Sequence, residues 1–234
     1  MSDQVRIYSR APAPPPRRVL VANSKGGCGK STISSNIAAA YAARGYATAL
    51  VDCDPQQTAS FWLSRWPGDV PPVYGVVGVD QPSRPLLDWL VRIPRGTERI
   101  VIDSPGSIAS HRLNDLIERV DVIIIPLLPS AIDIHATTEF IKEIYLSSSF
   151  RNSNRKLFIV GNRVDRRNKY FHQLNRFLRR LGIDEVIHIP DSYIFLRCID
   201  EGMGVIDIPH SHRYDAAQKA MAELVNKTEI DEHE

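Results

Sequence analysis

Lys25-Gly26-Gly27-Cys28-Gly29-Lys30-Ser31-Thr32 follows directly on the apolar run Val19-Leu20-Val21-Ala22. Glycines in such a stretch let backbone N–H groups approach phosphate oxygens, a lysine reaches the β- and γ-phosphates, and a hydroxyl serves Mg²⁺. Gly26, Gly27 and Gly29 supply the backbone, Cys28 fills the variable position as a small packing residue, and Thr32 stands beside the metal-directed hydroxyl of Ser31. A helix opening at Lys30 would aim its N-terminal amides at the same anion. A bare glycine turn between strand and helix has no need of lysine, hydroxyl and helix start in this order. Lys25 is surplus to the local task. It comes five residues before Lys30 and suggests a charge delivered to phosphate elsewhere, on a partner subunit.

Outward from this loop, short β-branched runs alternate with helical stretches, the pattern of a parallel sheet covered on both faces. The runs are Val19 to Ala22, Thr48 to Val51, Val73 to Val79, Ile100 to Ile102, Val122 to Ile125, Leu157 to Val160 and Val186 to Ile189. Helices are expected over Ser31 to Arg44, Thr58 to Trp66, Pro85 to Val91, Arg112 to Val120, Ile132 to Leu146, Tyr170 to Leu181 and Tyr214 to Val225. The reading is one α/β domain of the phosphate-loop NTPase class, with a mostly parallel twisted sheet, over residues 18–226. Residues 1–17, rich in proline, read as a disordered tail, and 227–234 as an acidic tail. Sheets of this kind hold ligands at the carboxyl ends of their strands, and each polar motif follows its apolar run at once.

Two such motifs are acidic. Thr48-Ala49-Leu50-Val51 leads into Asp52-Cys53-Asp54-Pro55, and Ile100-Val101-Ile102 into Asp103-Ser104-Pro105-Gly106. Taken alone, each could be a capped strand end, with Asp54 opening a turn at Pro55. Beside a phosphate loop they form a carboxylate set. Mg²⁺ takes one or two protein oxygens plus water and phosphate, which Ser31 and a water-mediated Asp103 would satisfy.

A net charge of +2 conceals an asymmetry. Arg151 to Arg180 holds ten Lys and Arg residues against Asp165 alone, so that segment carries +9 and the remainder −7. Within it, Phe171, Leu174, Leu178 and Leu181 share one helical face, and Lys169, Arg176, Arg179 and Arg180 lie opposite. With Arg163, Arg166 and Arg167 just upstream, this set could neutralise nucleic-acid phosphates without reading bases. The segment from Tyr214 offers Ala217, Ala220, Met221 and Leu224, then Glu229, Asp231, Glu232 and Glu234. That acidic ending suits packing against the core better than an anionic membrane. No apolar run reaches the length of a membrane span, and three cysteines without metal-ligand spacing read as reduced thiols in the cytosol.

The loop with its leading lysine resembles the deviant Walker A box of the ParA/MinD family of ATPases. The resemblance implies ATP and Mg²⁺ as cofactors and a homodimer closed on ATP, in which Lys25 reaches the other subunit's nucleotide while Lys30 serves its own. Asp54 is then the acid that orients the attacking water and Asp52 supports the water shell of the metal. Asp103 falls in the Walker B box, and Gly106 lets the second switch move. Ile159-Val160-Gly161-Asn162 resembles the base-recognition strand of related NTPases, which makes Asn162 the adenine contact, although asparagine after a strand is also a common turn former. Pro190 and Asp191 fall where the family packs its adenine pocket, in departing wording. Partition-type relatives bind nucleoid DNA non-specifically through basic residues in this part of the fold. The expected role is therefore an ATP-dependent switch on the nucleoid, stimulated by an adaptor protein and positioning a plasmid, chromosome region or protein complex, with no stable membrane anchor. A MinD-like membrane ATPase and an ATP-dependent small-molecule ligase of the same fold are the alternatives.

Overall fold

The computed structural model describes residues 14–78, 88–180, 182–183 and 186–230. Seven strands among them form one sheet: β1 (Arg17–Val21), β2 (Thr48–Asp52), β3 (Val73–Val77), β4 (Arg99–Asp103), β5 (Val122–Leu127), β6 (Lys156–Val164) and β7 (Ile187–Pro190). Their order is β3-β2-β4-β1-β5-β6-β7, and every pairing is parallel. The α/β reading of the sequence holds. Parallel sheets are buried on both faces, which is why β2 and β5 are buried along their whole length.

Alternate side chains of the central strands feed two cores. On one face Val19, Val21, Leu50 and Val101 pack with α1 (Lys30–Ala43), α2 (Thr58–Ser64), α7 (Ile194–Glu201) and α8 (Asp215–Glu229), through Ile37, Trp62, Ile194 and Leu224. On the other, Leu20, Val51, Ile102 and Ile123 meet α3 (Ser110–Ile117), α4 (Ala131–Leu146) and α6 (Lys169–Arg180), through Leu116, Phe140, Leu174 and Leu178. A single turn, α5 (Ser148–Arg151), follows α4. The period-2 division of β1 between the layers makes it the spine of the molecule, with β4 and β5 on its flanks. The phosphate-loop sequence leaves β1 at the rim where β2 and β4 also end, since Asp52 and Val21 are both in register with Asp103.

Several boundaries differ from expectation. β1 begins at Arg17, inside the anticipated tail, because Arg17 pairs with Arg99 and its guanidinium donates to Thr228 O. Residues 1–13 of that tail lie outside the described residues, as do Val79, Pro85 to Leu87, Leu181 and residues 231–234. The segment expected as a helix to Val91 is a short 3-10 turn over Asp88–Arg92. α8 runs to Glu229 rather than stopping at Val225, and its last turn is held by Arg99, whose guanidinium donates to both Glu229 oxygens at 2.9 and 2.6 Å while lying 3.7 Å over the Tyr46 ring. Glu229 is thus part of the fold, and Ala217, Ala220, Met221 and Leu224 are buried as expected. No helix among the described residues is long and apolar enough to cross a membrane.

Candidate nucleotide site and basic surface

The loop after β1 is built to present amides. Gly27 and Gly29 take left-handed backbone, φ +75 and +95, which L side chains rarely adopt. Gly29 caps α1 without a side-chain bond, and the first turn carries no acid, so the helix N-terminus is left open toward an anion. Asn23 fixes the exit from β1. Its amide donates to Pro126 O at 2.7 Å and Thr137 Oγ1 at 2.9 Å, and its oxygen accepts from Lys25 N at 3.1 Å. Cys28 is buried, its Sγ 3.2 Å from Lys25 O, and burial pushes its thiol up. It packs the loop, and Cys53 and Cys198 are likewise buried and unbridged.

The two lysines differ in burial and bonding. Lys30 is buried, donates to Lys25 O at 3.1 Å and stands inside the loop. The Lys25 side chain is half-buried, and among the described residues no hydrogen bond or ion pair holds its ammonium.

A cavity of about 520 Å³ opens over the loop, lined by Gly26, Gly29, Lys30 and Ser31 on one side and Asp54 and Gly106 on the other. The motifs ending β2 and β4 therefore converge on the loop. A methyl group added at Gly106 would meet Gly26 Cα and Lys30 Nζ at 3.7 Å, so that backbone lies against the loop. Asp54 N donates to Asp52 Oδ1 at 3.1 Å and Asp54 Oδ1 accepts from Gln56 N at 2.8 Å, leaving the carboxylate half-exposed at the cavity. Asp52 is fully buried, and its second oxygen accepts from Ser60 N at 2.7 Å. With both oxygens bonded to amides, Asp52 ties the β2 exit to α2.

Asp103 differs. It too is fully buried, but among the described residues only Oδ1 is hydrogen-bonded, to Ser34 Oγ at 3.1 Å, and Oδ2 has no partner there. Burial pushes its carboxyl up to about 7, the Asp52 charge adding to the rise and Ser31, Ser34 and Lys30 opposing it. An orphaned carboxylate oxygen beside Ser31 and a phosphate loop suits a hard divalent cation, and the residues present fit Mg²⁺.

A second cavity, of about 430 Å³, shares Gly27, Gly29 and Thr32 with the first and continues between the end of β6 and α7, lined by Asn162, Arg163, Asp191, Tyr193, Phe195, Leu196 and Ile199 among others. Asp191 is at its wall, and Pro190 ends β7 opposite Val164. Asn162 is buried, and its amide already donates to Cys28 O at 2.8 Å. The α7 lining was not anticipated from sequence. Tyr193 and Leu196 are 64% and 60% exposed there, apolar surface that a flat ligand would cover. The available signals were Ser192 ahead of the helix and Gly202 ending it at φ +67.

The basic set divides. α6 buries Leu174 and Leu178 and exposes Lys169, Arg176, Arg179 and Arg180, with Arg166 exposed before it. Arg167 is paired with Asp165 at 3.0 Å. Arg163, grouped by sequence with the nucleic-acid contacts, instead lines the second cavity and pairs with Asp191 at 3.1 Å.

Residues 19–205 match the model of the CobQ/CobB/MinD/ParA nucleotide-binding domain. The chain is 31% identical over 193 residues to Maintenance of carboxysome distribution protein A of Halothiobacillus neapolitanus, covering 81% of this chain and 87% of the relative. Among solved structures, a plasmid partition protein of Borrelia burgdorferi bound to AMPPNP superposes with a TM-score of 0.68 at 18% identity, covering 91% of this chain and 99% of the other. An ATP complex of McdA from Cyanothece gives 0.67 at 13% identity, covering 91% and 96%. With seven parallel strands in the order found, a phosphate loop leaving the central one and most of its length matched, this chain belongs to the CobQ/CobB/MinD/ParA nucleotide-binding family.

Proposed function

We propose that this protein is a cargo-positioning ATPase that dimerises on ATP, binds duplex DNA without sequence preference in that state, and leaves it after hydrolysis stimulated by an adaptor protein. The observation that carries the reading is the first cavity, where the phosphate loop faces Asp54 and Gly106 across one space. Phosphoryl transfer asks for a positioned water and cations on the developing charge, with little covalent work by the protein. Asp54 orients the water toward the γ-phosphorus, Lys30 holds the β- and γ-oxygens, and the amides from Gly26 to Thr32 bind the chain of phosphates. Ser31 and Asp103 would hold Mg²⁺, which when bound neutralises phosphate charge. Lys25 supplies the remaining cation across a dimer, which keeps turnover slow in a lone subunit. The adenine lies in the second cavity between the β6 exit and α7. Arg166, Lys169, Arg176, Arg179 and Arg180 neutralise DNA phosphates. Kinship to proteins named for carboxysome distribution and plasmid partition supports a positioning task.

The test is ATP turnover and ATP affinity measured together, with and without random-sequence duplex. Lys25→Ala is expected to keep its ATP Kd within about two-fold and to lose turnover by about 10³, the scale of a cation supplied in trans. Parent-level turnover in that variant removes the cross-subunit role. Turnover that demands a small metabolite and ignores duplex overturns the positioning function in favour of a ligase.

A further inference from the structure

Asn162 joins the phosphate loop to the basic segment, and its bonds commit it to that junction. Its amide nitrogen donates to Cys28 O inside the loop and fills the space that a side chain at Gly29 would need. Its amide oxygen accepts from Arg163 N at 3.0 Å. Arg163 in turn holds left-handed backbone at φ +53, a conformation that a residue of this size keeps only when its surroundings impose it. The β6–β7 register breaks at the same place, between Gly161 and Val164. Immediately beyond the break come Arg166, Lys169 and the exposed face of α6.

We propose that Asn162 is a positioning residue that carries the state of the phosphate loop to the basic segment. Phosphates draw on the amides of Gly27 to Gly29 and so turn the peptide whose carbonyl is Cys28 O. Asn162 follows that carbonyl, and through Arg163 N the shift reaches the turn at Asp165 to Asn168 and the start of α6. The element with two arrangements is the bulge: Arg163 is left-handed while Asn162 is bonded to the loop and relaxes toward ordinary backbone when that bond is lost. This inference rests on the nucleotide-and-duplex reading above, and it supplies the route by which one site informs the other.

Hydrogen–deuterium exchange on the full chain, with and without saturating Mg-ATP, tests it. In the parent protein ATP is expected to slow exchange by a factor of about two or more both in the loop and in residues 164–180. Asn162→Asp keeps the size of the side chain and the acceptor for Arg163 N but removes the donor to Cys28 O. At an ATP concentration that saturates the variant, with protection of the loop as the measure of occupancy, it is expected to lose the response in 164–180. A response in 164–180 equal to the parent's overturns the proposal, as does a parent protein in which ATP protects the loop alone. Where Asn162→Asp no longer binds ATP, Arg163→Gly serves the same end. It frees the strained backbone while leaving the Asn162 bond to the loop, so a parental response in 164–180 again overturns the proposal and its loss supports it. A parent protein that transmits the exchange change yet shifts no duplex in a gel overturns the DNA reading alone.

Discussion

Gly29 shows how narrowly single positions are specified at the rim. Its φ of +95 already disfavours any side chain, and a Cβ there would collide with the Asn162 amide that supports the loop. Gly29→Ala is therefore expected to cost about 1–3 kcal/mol of stability and to abolish measurable ATP binding. Denaturant titration and calorimetry check the two parts separately. Unchanged ATP affinity would mean that the loop has room the backbone does not reveal. Asp103 is the opposite case, a residue whose environment rather than backbone is strained. Its orphaned oxygen marks a place where the chain alone is electrostatically incomplete.

Among the elements, α6 divides most cleanly into a packed and an exposed face. Two fully buried leucines seat it on the sheet, and five exposed cations on or just before it have no carboxylate partner among the described residues, Arg163 and Arg167 being paired. If those five meet phosphates, duplex affinity falls with salt at a log–log slope of about −4.5. Arg176→Glu with Arg180→Glu is expected to flatten that slope by about 2 and to leave ATP affinity unchanged. Fluorescence anisotropy across a salt series checks it, and a slope equal to the parent's would place the DNA contacts elsewhere. This helix was legible in the sequence because burial and charge repeat at 3.6 residues, as was the loop, whose glycines, lysine and hydroxyl are fixed by phosphate chemistry. α7 was not legible. Ile194-Phe195-Leu196 is continuous apolar sequence without visible helical period, since Leu196 is reserved for a cavity while Ile194 and Phe195 enter the core. The pairing of Arg163 with Asp191 was not legible for a related reason: its charge matches its neighbours, and its left-handed backbone leaves no mark in composition.

At the scale of the whole molecule, the first described strand and the last described helix are fastened to each other at the rim opposite the site. Arg17 begins β1 and bonds to Thr228, and Arg99 grips Glu229 with an aromatic ring beneath it. The pair is mostly buried, 17% and 20% exposed, so removing one partner leaves a desolvated charge behind. Glu229→Gln is expected to lower unfolding free energy by about 1–3 kcal/mol, read as an earlier denaturant midpoint at unchanged slope. Its ATP affinity is expected to match the parent's, because the clamp and the phosphate loop lie at opposite ends of the strands. A midpoint equal to the parent's would reduce the clamp to a surface ion pair.

The strand order bears on how the chain is made. β1 is the first of the described strands to leave the ribosome, yet one of its flanks waits for Arg99 and the other for Val122. Until both arrive, an apolar ribbon with two bare hydrogen-bonding edges must be kept from its neighbours. Premature termination anywhere short of β5 yields not a smaller nucleotide-binding unit but a sticky fragment, so quality control of this protein falls on the nascent chain.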